Sequence, residues 1–187
     1  EFTTNYPGCS LIQGDVRIQG TSITNLNGLS GVISIGGRLG IYLTHLTNLA
    51  GLEHLTQIGG DLEISHHPFL GDLSGLDALS LIQGSLIIYQ NMSLASLNGL
   101  NSISNIENSL SIQDNPVLTN LSGLNTALFS GDHVLIYSNP ALTNLVGLEG
   151  VTTAASLTIY NNSGLTSLLG LNNLTSLGNL RINSNPS

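Results

Sequence analysis

The sequence contains no lysine and only three arginines, Arg17, Arg38 and Arg181, against eleven acidic residues. The net charge of -8 argues against a nucleic-acid partner, because a phosphate-binding face needs clustered Lys and Arg. The same shortage of cations argues against electrostatic docking on anionic membranes. No apolar run approaches the ~18 residues of a membrane span, so no membrane insertion is expected within this segment.

Aromatic residues and cysteine are also scarce. Trp is absent and aromatics make up 4% of the chain, so a conventional globular core is not expected. Cys9 is the single cysteine, so no internal disulfide can form. Two interpretations of Cys9 stay open: a buried small hydrophobe near the start of the fold, or half of a cap disulfide whose partner lies upstream of this segment.

The dominant feature of the sequence is a repeat marked by the dipeptide Gly-Leu. It recurs every 23 or 24 residues, and self-similarity at a fixed period of this kind is typical of a solenoid. The seven copies begin at Gly28, Gly51, Gly75, Gly99, Gly123, Gly147 and Gly170. The period predicts a single solenoid domain over residues 11–187, with seven full repeats and a partial eighth, after the remnant of an N-terminal cap at residues 1–10.

Each repeat opens with an apolar pair two residues apart, such as Leu110 and Ile112. This spacing predicts a short β-strand, and the stacked strands would form one parallel sheet. An Asn position follows, often with Pro after it, which indicates a turn where a stacked amide can bond the coils above and below. The predicted structural ladder is Asn91, Asn115, Asn139, Asn162 and Asn185, with His67 in the Asn position of the third coil.

The two ends of the chain differ from the repeat. One repeat cannot be stable alone, because ordering it costs more free energy than its few Leu and Ile side chains return. The sequence stops in the middle of a repeat, just past the eighth predicted strand. We expect either that the natural chain continues or that copies stack end to end, since an uncapped sheet edge invites pairing.

Written out, the unit L-x-x-L-x-x-I-x-G-x-L-x-I-x-x-N resembles the repeat of the receptor L domain and its leucine-rich-repeat-like relatives, among them secreted or surface-anchored bacterial and fungal proteins. Runs such as Gly36 to Ile41 and Gly59 to Ile64 carry the resemblance, which covers about residues 9 to 187. It implies a right-handed β-solenoid, outside the cell or at its surface, that serves binding or adhesion. It brings no catalytic residue, and no cofactor is expected.

Catalytic and metal-binding patterns are not apparent in the sequence. His66 and His67 are adjacent and would point apart on a strand or turn, unlike the i, i+4 zinc pair of a helix. Asp15 and Asp61 share a position at the strand start, which favours turn formation over an acid–base pair. The sequence therefore predicts neither an enzyme nor a metal site.

The outward strand positions indicate a contact surface. Four of the five tyrosines fall in one column, and the neighbouring column adds two apolar side chains that we expect to be exposed. Apolar, Tyr-bearing patches usually contact proteins or sugars, although Tyr also simply favours strands. The candidate contact surface consists of Tyr42, Tyr89, Tyr137, Tyr160, Ile87 and Leu135.

A column of threonines, among them Thr119, Thr143 and Thr166, suits turn formation, although threonine ranks on a flat solenoid also resemble ice-binding surfaces. The sequence as a whole predicts a non-enzymatic extracellular adhesion or recognition module that binds a protein or glycan ligand. The alternative is a structural protein that assembles end to end into fibres from copies of itself. An ice-binding protein is the less favoured possibility.

Overall fold

The computed structural model describes residues 8–185, so the predicted cap remnant at residues 1–10 falls mostly outside the described residues. The described chain is a parallel β-solenoid of about eight turns with repeats of about 23 residues, which confirms the predicted fold. Its helical content is a single 3₁₀ turn at Asn27–Leu29. The strands are β1 (Leu11–Ile12), β2 (Val16–Gln19), β3 (Ser34–Ile35), β4 (Leu39–Tyr42), β5 (Gln57–Ile58), β6 (Leu62–Ser65), β7 (Leu81–Ile82), β8 (Leu86–Tyr89), β9 (Asn105–Ile106), β10 (Leu110–Gln113), β11 (Leu128–Phe129), β12 (His133–Tyr137), β13 (Thr153–Tyr160) and β14 (Ser176–Asn183).

The main sheet takes one strand from every turn, in the order β2-β4-β6-β8-β10-β12-β13-β14. All its pairs are parallel and in phase with the repeat, so Leu110 lies opposite Leu86 on one side and Val134 on the other. Side chains of equivalent repeat positions therefore stack in columns. This register turns a periodic sequence into a periodic surface.

A second, narrow sheet joins the two-residue strands in the order β1-β3-β5-β7-β9-β11, in addition to the sheet that the sequence predicts. Each of these strands ends on an apolar residue that packs inward, such as Ile58 or Ile82, while its backbone bonds the neighbouring coil. In the last two turns this segment runs on into the main strand, so β13 and β14 both reach eight residues.

The core is one continuous cluster of stacked Leu, Ile and Val side chains. The inward pair of each strand and the leucines at three-residue spacing meet inside the coil, as Ile112, Leu118 and Leu121 do with no exposed surface. The polar residues between them face out, because a tight coil presents only one side of the chain to the interior. Burial between coils, and not within one coil, therefore holds the fold together.

The Gly-Leu dipeptide has a direct structural reason. Gly75 adopts a φ of +107°, a conformation that L side chains rarely tolerate, and a Cβ there would overlap the carbonyl of Leu49 in the preceding coil. Leu76, the next residue, is fully buried in the core. Glycine thus permits the close approach of two coils, and leucine fills the space inside.

Candidate functional site

The predicted asparagines occupy one corner column directly behind the main sheet, which we call the asparagine ladder. Asn115 is fully buried, and its Nδ2 donates to the carbonyl oxygens of Ile88 (3.3 Å) and Gln113 (2.8 Å). Its Oδ1 accepts the backbone N–H of Asn91 at 3.1 Å, and its own N–H donates to Oδ1 of Asn139 at 3.1 Å. Each rung therefore satisfies backbone groups that the corner would otherwise leave unpaired.

His67 replaces an amide in the third coil and is fully buried. Its Nε2 lies 3.1 Å from the carbonyl oxygen of Ile41, which can only accept, so this nitrogen carries the hydrogen. Nδ1 then accepts from the hydroxyl of Thr44 at 2.9 Å. Burial lowers the pKa of His67, which favours this neutral form. His66, by contrast, is exposed, so the two adjacent rings point apart as the sequence suggests.

One residue between each strand and its ladder rung adopts a left-handed conformation. The set spans unrelated residue types, from Leu43 (φ 51°) and His66 (φ 63°) to Asp114 (φ 53°) and Asn161 (φ 58°). The turn of the backbone at this point sends the strand residue outward and the rung inward. It also places the corner residues of successive coils side by side.

These corner residues border a groove of about 720 Å³ that crosses successive coils beside the tyrosine column, and we call it the corner groove. The sequence predicts turns at its Asn-Pro pairs but does not predict the groove, because the groove arises only between neighbouring coils. Its lining residues are Thr21, Leu43, His45, His66, Pro68, Gln90, Met92, Asp114, Pro116, Ser138, Pro140, Asn161 and Ser163.

The structure places the predicted tyrosines in one column of the main sheet, and we call the surface formed by Tyr42, Tyr89, Tyr137, Tyr160, Ile87 and Leu135 the tyrosine face. The rings of Tyr137 and Tyr160 stack nearly parallel, with centroids 5.4 Å apart and planes 3° apart. Ile87 and Leu135 are half-buried, less exposed than the alternation predicts, because side chains of adjacent rungs cover part of them.

At the other end of this face, Tyr42 lies close to two guanidinium groups. The Cζ atoms of Arg17 and Arg38 are 5.5 and 6.0 Å from the centroid of its ring. The hydroxyl of Tyr42 donates to Glu63 at 3.2 Å, and Glu63 also forms an ion pair with Arg38. Arg17 donates through Nε (3.1 Å) and Nη2 (2.6 Å) to Oε1 of Gln19. We call Arg17, Arg38 and Tyr42 the arginine cluster, a grouping that the sequence does not reveal.

The remaining candidates are scattered. Cys9 is a half-buried free thiol whose Sγ donates to the carbonyl oxygen of Leu11 at 3.6 Å, and both interpretations of it stay predictions.

The hydroxyls of Thr143 and Thr166 donate to carbonyls of the preceding coil, at 3.4 and 3.3 Å, as turn-forming residues do. Within residues 8–185, no three His, Cys, Asp or Glu side chains are grouped to hold a metal, and no described helix could cross a membrane.

A stack of leucine-rich coils that presents one open parallel sheet defines the class of repeat proteins that bind through an extended surface. The sequence model of the Receptor L domain family matches residues 8–67 and 56–149, which is more than half of the chain. The chain belongs to the Receptor L domain family. None of the curated proteins compared with it matches. Membership indicates a ligand-binding module of a typically non-catalytic kind, from a family found in extracellular receptor ectodomains.

Proposed function

We propose that this chain is a non-enzymatic recognition or adhesion module that acts outside the cell or at its surface. In this proposal a protein or glycan ligand lies along the tyrosine face. The module is the solenoid of residues 11–187, and residues 1–10 are the end of its N-terminal cap. The observation that carries the proposal is the stacked pair Tyr137 and Tyr160 beside Leu135 on the open sheet.

The stacked pair suits binding because it is ordered before any ligand arrives. Each ring is half-buried and held by its neighbour, so little side-chain entropy remains to be lost on association. Each ring offers apolar area together with a hydroxyl, which matches either a protein surface or a sugar. Propensity for strands explains why Tyr is tolerated there, but not why two rings stack outside the core.

The corner groove supports the same proposal because it borders the tyrosine face. Leu43 and Met92 leave 45% and 58% of their surface exposed in the groove region, which adds apolar contact area next to the rings. Face and groove both run across successive coils. The combined surface therefore suits an extended ligand better than a compact one.

The test replaces both stacked rings, in Tyr137→Ala/Tyr160→Ala. Binding of the labelled chain to an array of purified glycans and purified proteins should fall roughly tenfold or more, because aromatic hot spots contribute about 2 kcal/mol or more. Val117→Ala is the control, since Val117 is an exposed apolar residue (42%) that belongs neither to the tyrosine face nor to the corner groove. Unchanged binding by the folded double variant would show that this face is not the site.

End-to-end assembly into fibres is the second candidate. In β14, the last described strand, Leu180 and Ile182 are 57% and 39% exposed, whereas their equivalents in β13 are fully buried. Either a further coil of the same protein or a second copy can cover these side chains. Electron microscopy of the concentrated chain tests the second possibility, and a uniform population of single particles would contradict it.

A further inference from the structure

The three arginines of the chain all lie in or directly before strands of the main sheet. Arg17 lies in β2, Arg181 lies in β14 and Arg38 directly precedes β4, so every cationic side chain other than histidine belongs to this sheet. Glu63 is the only acidic residue within its eight strands, and Asp15, Asp61 and Asp132 directly precede β2, β6 and β12 as Arg38 precedes β4. The sheet is therefore not positive as a whole, and the local pairing of each arginine decides where an anion would be favoured.

The arginine cluster holds two like charges beside one ring. Among residues 8–185, Arg38 has Glu63 as its ion-pair partner, whereas Arg17 has no carboxylate partner and bonds only the amide of Gln19. Nε of Arg38 is buried and donates to no partner among the same residues. Glu63 thus pairs with Arg38 and leaves the guanidinium of Arg17 without a carboxylate, so an additional anion beside Arg17 would be favoured.

Gly40 makes this arrangement possible. The ring of Tyr42 lies back across Gly40, and a Cβ at that position would overlap the ring. The φ of Gly40 does not fall in the left-handed region, so glycine is required here for space and not for backbone freedom. Gly40 therefore acts as a positioning residue that keeps Tyr42 beside the two arginines.

Resting on the proposed function, we infer that the arginine cluster is the subsite for a carboxylate of a linear acidic polysaccharide that lies along the tyrosine face. The planar guanidinium fork matches a carboxylate in geometry and charge. Beyond the cluster, the face offers hydroxyl and amide groups such as Ser111, Gln113 and Thr158, which suit a ligand rich in hydroxyls. A surface that repeats about every 4.8 Å fits a ligand that is itself periodic.

The experiment uses oligogalacturonate, a linear oligomer of a uronic acid, and its methyl ester, which has the same rings without the charge. The chain contains no Trp, and four of its five tyrosines lie on the face, so its intrinsic fluorescence reports occupancy. We expect the free acid to bind and the ester to bind roughly tenfold or more weakly, as for a lost hydrogen-bonded charge pair.

Two variants locate the contact. Arg17→Gln removes the guanidinium that has no ion pair, and it should weaken oligogalacturonate binding roughly tenfold or more. Arg181→Gln is the matched control, since it removes the same charge from the same column seven rungs away and should change affinity less than about twofold. Gly40→Ala displaces the Tyr42 ring without altering any charge, and it should weaken binding as Arg17→Gln does.

Equal affinity for acid and ester, or equal losses in the two arginine variants, would overturn the inference. So would binding of poly-glutamate in place of oligogalacturonate, which would make the ligand an acidic peptide. A thermal melt of Gly40→Ala confirms that a loss of affinity does not come from unfolding. If oligogalacturonate fails while the tyrosine double variant still abolishes an array signal, the cluster is wrongly assigned and the proposed function stands.

Discussion

The asparagine ladder and the tyrosine column lie two residues apart on the same turns, and they differ in how freely their residues vary. The ladder is uniform over its last five turns, which all place Asn there, and the ring of His67 in the turn before them reproduces the bond of an amide to the preceding coil. Thr44 takes the same position one turn earlier, where it is buried and bonds His67. The tyrosine column changes from turn to turn, with Gln113 between Tyr89 and Tyr137. Both columns have the same period, so periodicity alone does not explain the contrast.

Burial explains it. A rung of the ladder is closed to water, so each of its polar atoms needs a partner, and only a side chain with a donor and an acceptor in the right places will serve. The outer column is open to solvent on one side, so water can satisfy whatever side chain stands there. Variation in the outer column is therefore available for recognition, whereas uniformity in the inner column is a condition of the fold.

Removing one rung should have the largest effect. In Asn115→Ala the carbonyl of Ile88 and the N–H of Asn91 lose buried partners, and each unpaired group costs about 1–3 kcal/mol. We expect the free energy of unfolding, measured with urea, to fall by roughly 2–5 kcal/mol. Gln113→Ala, in the outer column of the same turn, should stay within about 0.5 kcal/mol of the parent. Similar losses of unfolding free energy in both variants would show that the ladder is no more important for stability than the outer column.

A smaller loss is expected where coils approach each other most closely. Gly75→Ala forces an alanine into a φ of +107° against the carbonyl of Leu49, and it should cost about 1–3 kcal/mol. Gly71→Ala is the control, because a Cβ at Gly71 would meet nothing within 4 Å. Calorimetric melting of both chains measures the difference. If Gly75→Ala is as stable as the parent, close contact between coils does not restrict which residues can occupy a repeat position.

The smallest effect on stability is expected at His67, which occupies an Asn position of the ladder. Burial lowers the pKa of His67 in the folded chain, so its neutral form is favoured, and stability falls as the pH drops below about 6.5, the usual value that an unfolded chain retains. Above that pH, neutral His67 makes its full contribution to the stability of the folded chain. His67→Asn installs the regular amide and should reduce the loss of urea midpoint as the pH falls below about 6.5. If the urea midpoint of the variant decreases with falling pH as much as that of the parent, the decrease comes from other titrating groups.

The fold was largely accessible from the sequence, because its signals are local and repeated. The apolar pair of a strand such as Leu110 and Ile112, and the Asn three residues later, are visible within one repeat and recur in the others. The second sheet does not follow from the sequence, since a two-residue strand has no alternation of its own. Only its hydrogen bonds to the neighbouring coil define it.

The candidate site is harder to predict from the sequence than the fold, because it depends on contacts between neighbouring coils. Left-handed backbone usually indicates Gly or Asn, yet here Leu43 and Gln90 adopt it, so the residue types do not reveal the corner that forms the groove. The arginine cluster joins Arg17 and Arg38, which are separated by a full turn, and it requires the space above Gly40. Neither contact follows from the order of residues within one repeat.

The uniform register of the asparagine ladder has a consequence for how such a chain changes over generations. Asn91, Asn115 and Asn139 follow one another at 24-residue intervals and make equivalent bonds. Deleting or duplicating one whole repeat would place one ladder Asn next to another in the same register, so the turn after the strand would keep its structure. The length of the outer surface can therefore grow or shrink by whole coils, and the number of ligand contacts, hence avidity, can change without any redesign of the interior.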